Sequence, residues 1–256
     1  MKVVIDIGNT NIKMAAYSAT TIVGQWRMQT DLRRTEDEYA VMTRAFFASA
    51  NISVNDIKGV IICSVVPPML FTIQKLCEAL FHVKPLVVGP GVKTGLNIKY
   101  ENPREVGSDR IVNAVAALDV YKGTPLVIID FGTATTYCYL NERGDYLGGV
   151  ITPGITIATE ALYTQAARLP RIELKRPRSI VGKTTIEAMQ AGVYYGIISQ
   201  VEGIVSRLAA QGENPPLVIA TGGLAPLLAH DMPIIDIVDE TLTLKGLVLI
   251  YERNQK

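Results

Sequence analysis

The sequence predicts an α/β protein built from two related halves with a cleft between them. Three observations lead there. A strand-and-turn segment occurs twice, strand-length apolar runs alternate with helical stripes, and apolar residues suffice for a sizeable core. Val3-Val4-Ile5-Asp6-Ile7-Gly8-Asn9-Thr10 aligns with Val127-Ile128-Ile129-Asp130-Phe131-Gly132-Thr133-Ala134. Each copy is a β-branched run closed by an aspartate and a glycine turn. A second apolar strand follows in each half, Val60 to Ser64 and Leu217 to Thr221. The interval from Asp130 to Thr221 is the longer one, so the second half is expected to carry an insertion near residues 152–184. The expected domains are 1–118 and 119–256, with ligand at the strand ends.

Element by element, Val3 to Ile5 is a buried strand, and Ile12 to Tyr17 and Thr21 to Met28 complete a meander. Thr35, with Glu38 three residues on, opens a helix through a capping box. Val60 to Cys63 is a strand that Pro67-Pro68 ends, a helix runs through Leu80, and Leu86 to Val88 is a strand. The Gly/Pro-rich stretch 89–103 leads to a helix from about Ser108 through Leu118. In the second half, Pro125 to Ile129, Thr135 to Leu140 and Tyr146 to Ile151 are strands, with Gly144-Asp145 in a turn. A helix from about Thr184 to Ala210 carries Ile186, Met189, Val193, Ile197, Val201, Ile204 and Leu208 at spacings of three and four. Strands at Leu217 to Ala220 and Ile234 to Ile237 and a helix from Thr241 to about Arg253 finish the chain.

Composition narrows the function classes. With 48% hydrophobic and 19% charged residues among 256, the chain can bury a sizeable core. A net charge of +1 gives no bulk reason to expect nucleic acid or an anionic membrane as partner. Cys63, Cys77 and Cys138 form no CxxC pair, and His82 and His230 are the only histidines. That argues against a disulfide framework and against a zinc site. No apolar run reaches the roughly 18 to 20 residues that span a bilayer. Asp6 arrives before a signal-peptide apolar region develops, so a soluble cytoplasmic protein is expected.

The candidate chemistry sits at the repeated turns. Gly8 lets the backbone approach a polyphosphate, while Asn9 and Thr10 offer amides and a hydroxyl to its oxygens. Asp6 beside phosphate calls for an intervening cation, which implies Mg²⁺ held directly or through water. The flexible cationic side chain of Lys13 can reach phosphate as well. A tight hairpin is the alternative for either turn alone; two equivalent turns on a duplicated fold favour a phosphate clamp. Thr221-Gly222-Gly223-Leu224 is open between a nucleoside contact and a plain strand-to-helix turn. In the stretch from Tyr100 to Arg110, Ser108 can cap a helix and Asp109 suits its dipole. In a kinase such an aspartate accepts the proton of an attacking alcohol, and a neighbouring arginine binds a carboxylate in bidentate fashion. The basic stretch Arg168, Arg171, Lys175, Arg176, Arg178 and Lys183 reads as a solvated loop, with phosphate attraction as the lesser alternative. Tyr194-Tyr195 read as core or subunit contacts.

Together the two hairpins and the Thr-Gly-Gly turn resemble the acetate and sugar kinase, Hsp70 and actin superfamily, which implies two ribonuclease-H-like (actin-like ATPase) domains closing on Mg·ATP. Asp6 to Lys13, Ser64 to Pro67, Gly148 to Gly154, Gly182 to Thr185 and the stretch Tyr100 to Arg110 together resemble type III pantothenate kinases. The departures are Ser108 where that family usually has Ala and Thr184 where it usually has Asn. The resemblance implies ATP contacts from Asp6, Gly8, Asn9, Thr10, Asn11, Lys13 and Thr133, and a proton acceptor at Asp109. It implies a pantothenate pocket lined by Tyr100, Gly107, Ser108, Asp109, Arg110 and Thr185, and a monovalent cation, K⁺ or NH₄⁺, at Asp130. It also implies a homodimer and phosphorylation of pantothenate to 4′-phosphopantothenate, the first step of coenzyme A synthesis. The rival expectations are another small-molecule kinase of the superfamily and a non-enzymatic accessory factor in transcription.

Overall fold

The structure, a computed structural model, describes residues 1–166 and 168–255. Ala167, inside the expected insertion, and Lys256, at the end of the expected second domain, lie outside the described residues. By contacts the chain forms two compact units. The first comprises Met1–Leu96, Glu101–Asp119 and Thr241–Lys256, the second Asn97–Tyr100 and Val120–Glu240.

In the first unit β1 (Lys2–Ile7), β2 (Asn11–Ser18) and β3 (Thr21–Gln29) form the meander. α1 (Glu36–Ser49) follows, opened by the expected capping box of Thr35 and Glu38. β4 (Gly59–Ser64) returns parallel to β1, and α2 (Pro67–Phe81) leads to β5 (Leu86–Val87). The prolines expected to end β4 also begin α2, where the first turn needs no amide donor. The sheet order is β3-β2-β1-β4-β5. Because side chains alternate across a strand, the sheet has two buried faces. Val3, Ile5, Ile7, Ile12 and Met14 form one core with residues of α1 and α2. Val4, Ala15, Tyr17, Ile61 and Cys63 form another with α3 (Ser108–Val120) and the C-terminal helix (Leu242–Arg253).

That last packing corrects the expected division at 118/119, which assigned the C-terminal helix to the second half. Leu244, Leu247 and Ile250 belong to the core of the first sheet. Gly246 brings the helix so close to α3 that a Cβ there would lie 2.1 Å from the Val112 carbonyl. The buried Thr243 hydroxyl donates to Asn113 Oδ1 at 2.8 Å. Chain order alone carries no sign of such a return.

The second unit contains β6 (Asn97–Ile98), β7 (Leu126–Phe131), β8 (Ala134–Leu140), β9 (Asp145–Pro153), α4 (Ile155–Gln165), α5 (Thr185–Ala209), β10 (Leu217–Thr221), α6 (Ala225–Ala229) and β11 (Ile237–Val238). Its sheet order is β11-β10-β7-β8-β9-β6. From β9 to β11 this repeats the first sheet strand for strand, with the same antiparallel meander and parallel returns. Each unit is therefore ribonuclease-H-like, and the second adds β6 at an edge, paired parallel to β9.

Three readings of this half need correction. The strand expected at Ile234 to Ile237 is only Ile237–Val238, because the Asp236 carboxylate takes the Val218 amide at 2.7 Å and ladder pairing starts one residue later. The expected insertion holds a helix, α4, whose N-cap is Gly154 and has no side-chain cap to announce it. In α5 only the first member of the expected stripe needs correction: Met189, Ile197 and Val201 are buried, and Val193, Ile204 and Leu208 pack against the core. Tyr194, Ile197, Ile198, Val201 and Val205 are core, while Ile186 is 49% exposed.

Candidate active site

In the first unit, Asp6 lies directly opposite Lys13 on β2 and beside Cys63 on β4. All three project from the sheet face that carries Val4 and Ala15 into the α3 core. The turn between them is closed by the Gly8 amide donating to the Asn11 carbonyl at 3.0 Å. It is held from β3 by Thr30, whose hydroxyl donates to the Gly8 carbonyl at 2.7 Å and whose amide donates to the Thr10 carbonyl at 3.0 Å. Asn9 and Thr10 are exposed at the tip, while Asp6, Asn11 and Lys13 are partly buried.

The head of α3 is fastened to the end of β4. Ser108 Oγ donates to the Ser64 carbonyl at 2.9 Å and accepts from the Cys63 thiol at 3.2 Å. This corrects the expected cap: Ser108 is the first residue of α3, and its hydroxyl faces the strand instead of a helix amide. The Gly107 carbonyl accepts the first helical bond, from Ile111 at 3.2 Å. Asp109 follows, half-buried, its Oδ1 accepting the Arg110 amide at 2.8 Å. Burial pushes the Asp109 carboxyl above its ordinary value, and the Arg110 amide and guanidinium only partly offset that shift. Arg110 itself is 6% exposed. Asp6, Lys13 and the Gly107–Arg110 stretch thus share one end and one face of the first sheet.

In the second unit Asp130 is the next-to-last residue of β7 and lies opposite Thr136 on β8 and Thr221 on β10. The small-residue turn after Thr221 is a strand-to-helix turn into α6. At Gly222, with φ +96°, an added Cβ would lie 2.7 Å from Asp130 Oδ1 and 2.6 Å from the Phe131 carbonyl. Glycine there keeps space beside a carboxylate and a carbonyl, an oxygen-only donor pair that suits a hard cation rather than a soft metal. Among the described residues no three His, Cys, Asp or Glu side chains cluster as a metal site. Thr133 is partly buried in the turn after β7, and Gly154 packs so tightly there that a Cβ would be 2.2 Å from the Thr133 carbonyl.

Tyr100 also belongs to this unit, its ring lying over Gly148, where φ is +137° and a Cβ would meet Cε2 at 3.4 Å. Thr185 opens α5 and is exposed. Thr184 is its N-cap, accepting from the Glu187 amide at 3.2 Å, a role that Asn fills equally well. Gly182 packs on that first turn, where a Cβ would be 2.2 Å from the Ala188 amide. Within the basic stretch, Arg176 is committed to a two-point contact with Asp231 at 2.6 and 2.7 Å, and Asp231 also accepts from the buried Tyr194 at 2.8 Å. Arg171 stacks over Tyr163 at 5.2 Å. Sequence reasoning missed the ties made by Thr30 and Cys63; neither residue stands in a pattern that marks it.

Two ribonuclease-H-like units, each with an Asp-x-Gly hairpin at a central strand end, give the fold that sugar kinases and actin-like ATPases share. A protein assigned as a 2-dehydro-3-deoxygalactonokinase from Sinorhizobium meliloti shares this fold at TM-score 0.61, with 9% identity over 99% of each chain. Residues 2–207 match the model of the type III pantothenate kinase family. The type III pantothenate kinase of Bacillus cytotoxicus is 59% identical over 251 residues, covering 98% of this chain and 95% of its own. That of Geobacillus kaustophilus is 57% identical, covering 98% and 97%. The chain belongs to the type III pantothenate kinase family.

Asp109 also yields a stability test. A carboxyl whose folded pKa is raised stabilises the fold only when protonated, so its contribution is present at low pH and lost as pH rises through that pKa. Asp109→Asn is expected to raise Tm at neutral pH, and the difference should shrink as pH falls into the carboxylate range. Thermal melts of both proteins across pH check it, and a neutral-pH Tm below wild type contradicts it.

Proposed function

We propose that this protein is a pantothenate kinase that transfers the ATP γ-phosphoryl to the primary hydroxyl of pantothenate, giving 4′-phosphopantothenate for coenzyme A synthesis. The observation that carries the reading is the desolvated Asp109 at the head of α3, on the same end and face of the sheet as Asp6 and Lys13. Asp109 takes the hydroxyl proton as the oxygen attacks phosphorus, and ADP leaves. Arg110 pairs with the substrate carboxylate. Tyr100, Gly107, Ser108 and Thr185 line the pantothenate site, Ser108 through its backbone because its hydroxyl is taken by β4.

Asp6, Gly8, Asn9, Thr10, Asn11 and Lys13 hold the ATP phosphates, and Thr133 supplies a further contact. Magnesium bound through Asp6, directly or by water, supplies charge neutralisation at the phosphates. A monovalent cation, K⁺ or NH₄⁺, is assigned to Asp130, supported by the oxygen donors and the space that Gly222 leaves. Most of the rate enhancement is positioning and charge compensation, since phosphoryl transfer asks little covalent chemistry of a protein. Three buried free cysteines suit work in a reducing cytoplasm. No helix among the described residues is long and apolar enough to cross a membrane.

A homodimer through α4 and α5 fits the apolar groove of about 290 Å³ lined by Pro153, Leu162, Val193 and Ile197. Gly192 and Gly196 leave its floor open, with nothing within 4 Å of an added Cβ. Light scattering should give the mass of two chains for the wild type and of one for Gly196→Arg; a monomeric wild type overturns the dimer.

ADP release measured with Mg²⁺ and a panel of alcohols should require pantothenate and be faster in K⁺ than in Na⁺. Asp109→Asn should lower kcat by about 10²-fold or more with KM for ATP nearly unchanged. Turnover with a sugar but not pantothenate, or a fully active Asp109→Asn, would sink the assignment.

A further inference from the structure

From the hydrogen bonds around the β1–β2 turn we infer that Thr30 is the positioning residue of the ATP hairpin, aiming the Asn9 and Asn11 amides at phosphate. The inference rests on the reading of Asp6 to Lys13 as the ATP site. Thr30 stands just past β3 and captures two carbonyls of the turn, Gly8 with its hydroxyl at 2.7 Å and Thr10 with its amide at 3.0 Å. A carbonyl and the N–H of the same trans peptide point in opposite directions. The Gly8 carbonyl shares its peptide with the Asn9 amide, and the Thr10 carbonyl shares its peptide with the Asn11 amide. With both carbonyls drawn toward Thr30, both amides are turned away from β3, and donors fixed in this way meet an anion without reorganising.

Thr30 is itself seated from the core. The fully buried Tyr39 of α1 donates its hydroxyl to the Gln29 carbonyl at 3.1 Å and accepts the Asp31 amide at 3.0 Å, so both neighbours of Thr30 are tied to the helix. The other unit carries the same arrangement in a different chemistry. Gly154 lies 24 residues after Asp130, as Thr30 lies 24 after Asp6. It also meets the carbonyls of its hairpin, where an added Cβ would be 2.6 Å from Gly132 O and 2.2 Å from Thr133 O. There the contact is close packing with no side-chain donor. The hairpin given Lys13 is also the one given a hydroxyl strut, so the copy with phosphate-binding charge is the copy whose amides are held by hydrogen bonds.

The test compares Thr30→Val, Thr30→Ser and Lys13→Met by steady-state kinetics and thermal melting. Thr30→Val keeps the backbone amide and nearly the same shape but loses the hydroxyl donor. It should raise KM for ATP about three- to tenfold, with KM for pantothenate unchanged and Tm lowered only slightly by the lost internal hydrogen bond. Thr30→Ser should restore ATP affinity, and Lys13→Met should weaken it independently. If Lys13→Met binds ATP as wild type does, the hairpin is not the ATP site and the reading beneath the inference fails. If Lys13→Met weakens ATP but Thr30→Val does not, the Thr30 assignment alone is overturned. A Thr30→Val protein that fails to fold, or that changes both KM values alike, makes Thr30 structural and overturns it too.

Discussion

In this chain the head of α3 is seated on β4 by one short contact, the hydroxyl of Ser108 bridging the Ser64 carbonyl and the Cys63 thiol. It fixes where α3 begins, and a helix rising 1.5 Å per residue has little freedom after its first residue is set. Asp109 and Arg110 are the next two residues, so the seat of Ser108 sets where the carboxylate and the guanidinium stand. The rest of α3 holds the seat in place through Val112 and Val115, and the C-terminal helix holds α3 through Gly246 and Thr243. Packing far along the chain thereby supports the carboxylate proposed as the base. Helix registry carries that support, and a half-buried charge is kept that costs stability.

Duplication explains the scaffold, and divergence explains the chemistry. From β9 to β11 the second sheet repeats the strand order of the first, with the same hairpin after the central strand. Lys13 in the first hairpin is answered by Tyr137 in the second, which is buried. Burial pushes the Tyr137 hydroxyl up to about 12, so it brings no charge to phosphate at physiological pH. Asp130 instead sits against Gly222 and a backbone carbonyl, surroundings that suit a cation. Two equal aspartates by sequence are therefore unequal by environment.

What was legible in the sequence is what has a local cause. The β-branched runs ending in Asp-x-Gly placed both hairpins. The pair Thr35 and Glu38 announced α1, and the apolar spacing announced α5. Elements made by tertiary contact left no such trace. β6 is two residues paired on an edge, α4 has a glycine N-cap, and β11 is shortened by the Asp236 carboxylate taking a strand amide. At the site, residue types named Asp6, Lys13, Asp109 and Arg110, because charge and spacing suggest their chemistry. They misread Ser108 as a cap, since a serine at a helix start looks the same whether it bonds its own helix or a neighbouring strand.

The central claim is that Asp109, desolvated at the head of α3, is the base. The most direct test is kcat at saturating pantothenate and Mg·ATP measured against pH. kcat should fall as pH drops through a pKa above the ordinary carboxylate value of 3.8, because only the ionised carboxylate can take the proton. A kcat that stays constant down to the ordinary carboxylate value, in a protein still folded there, would contradict it.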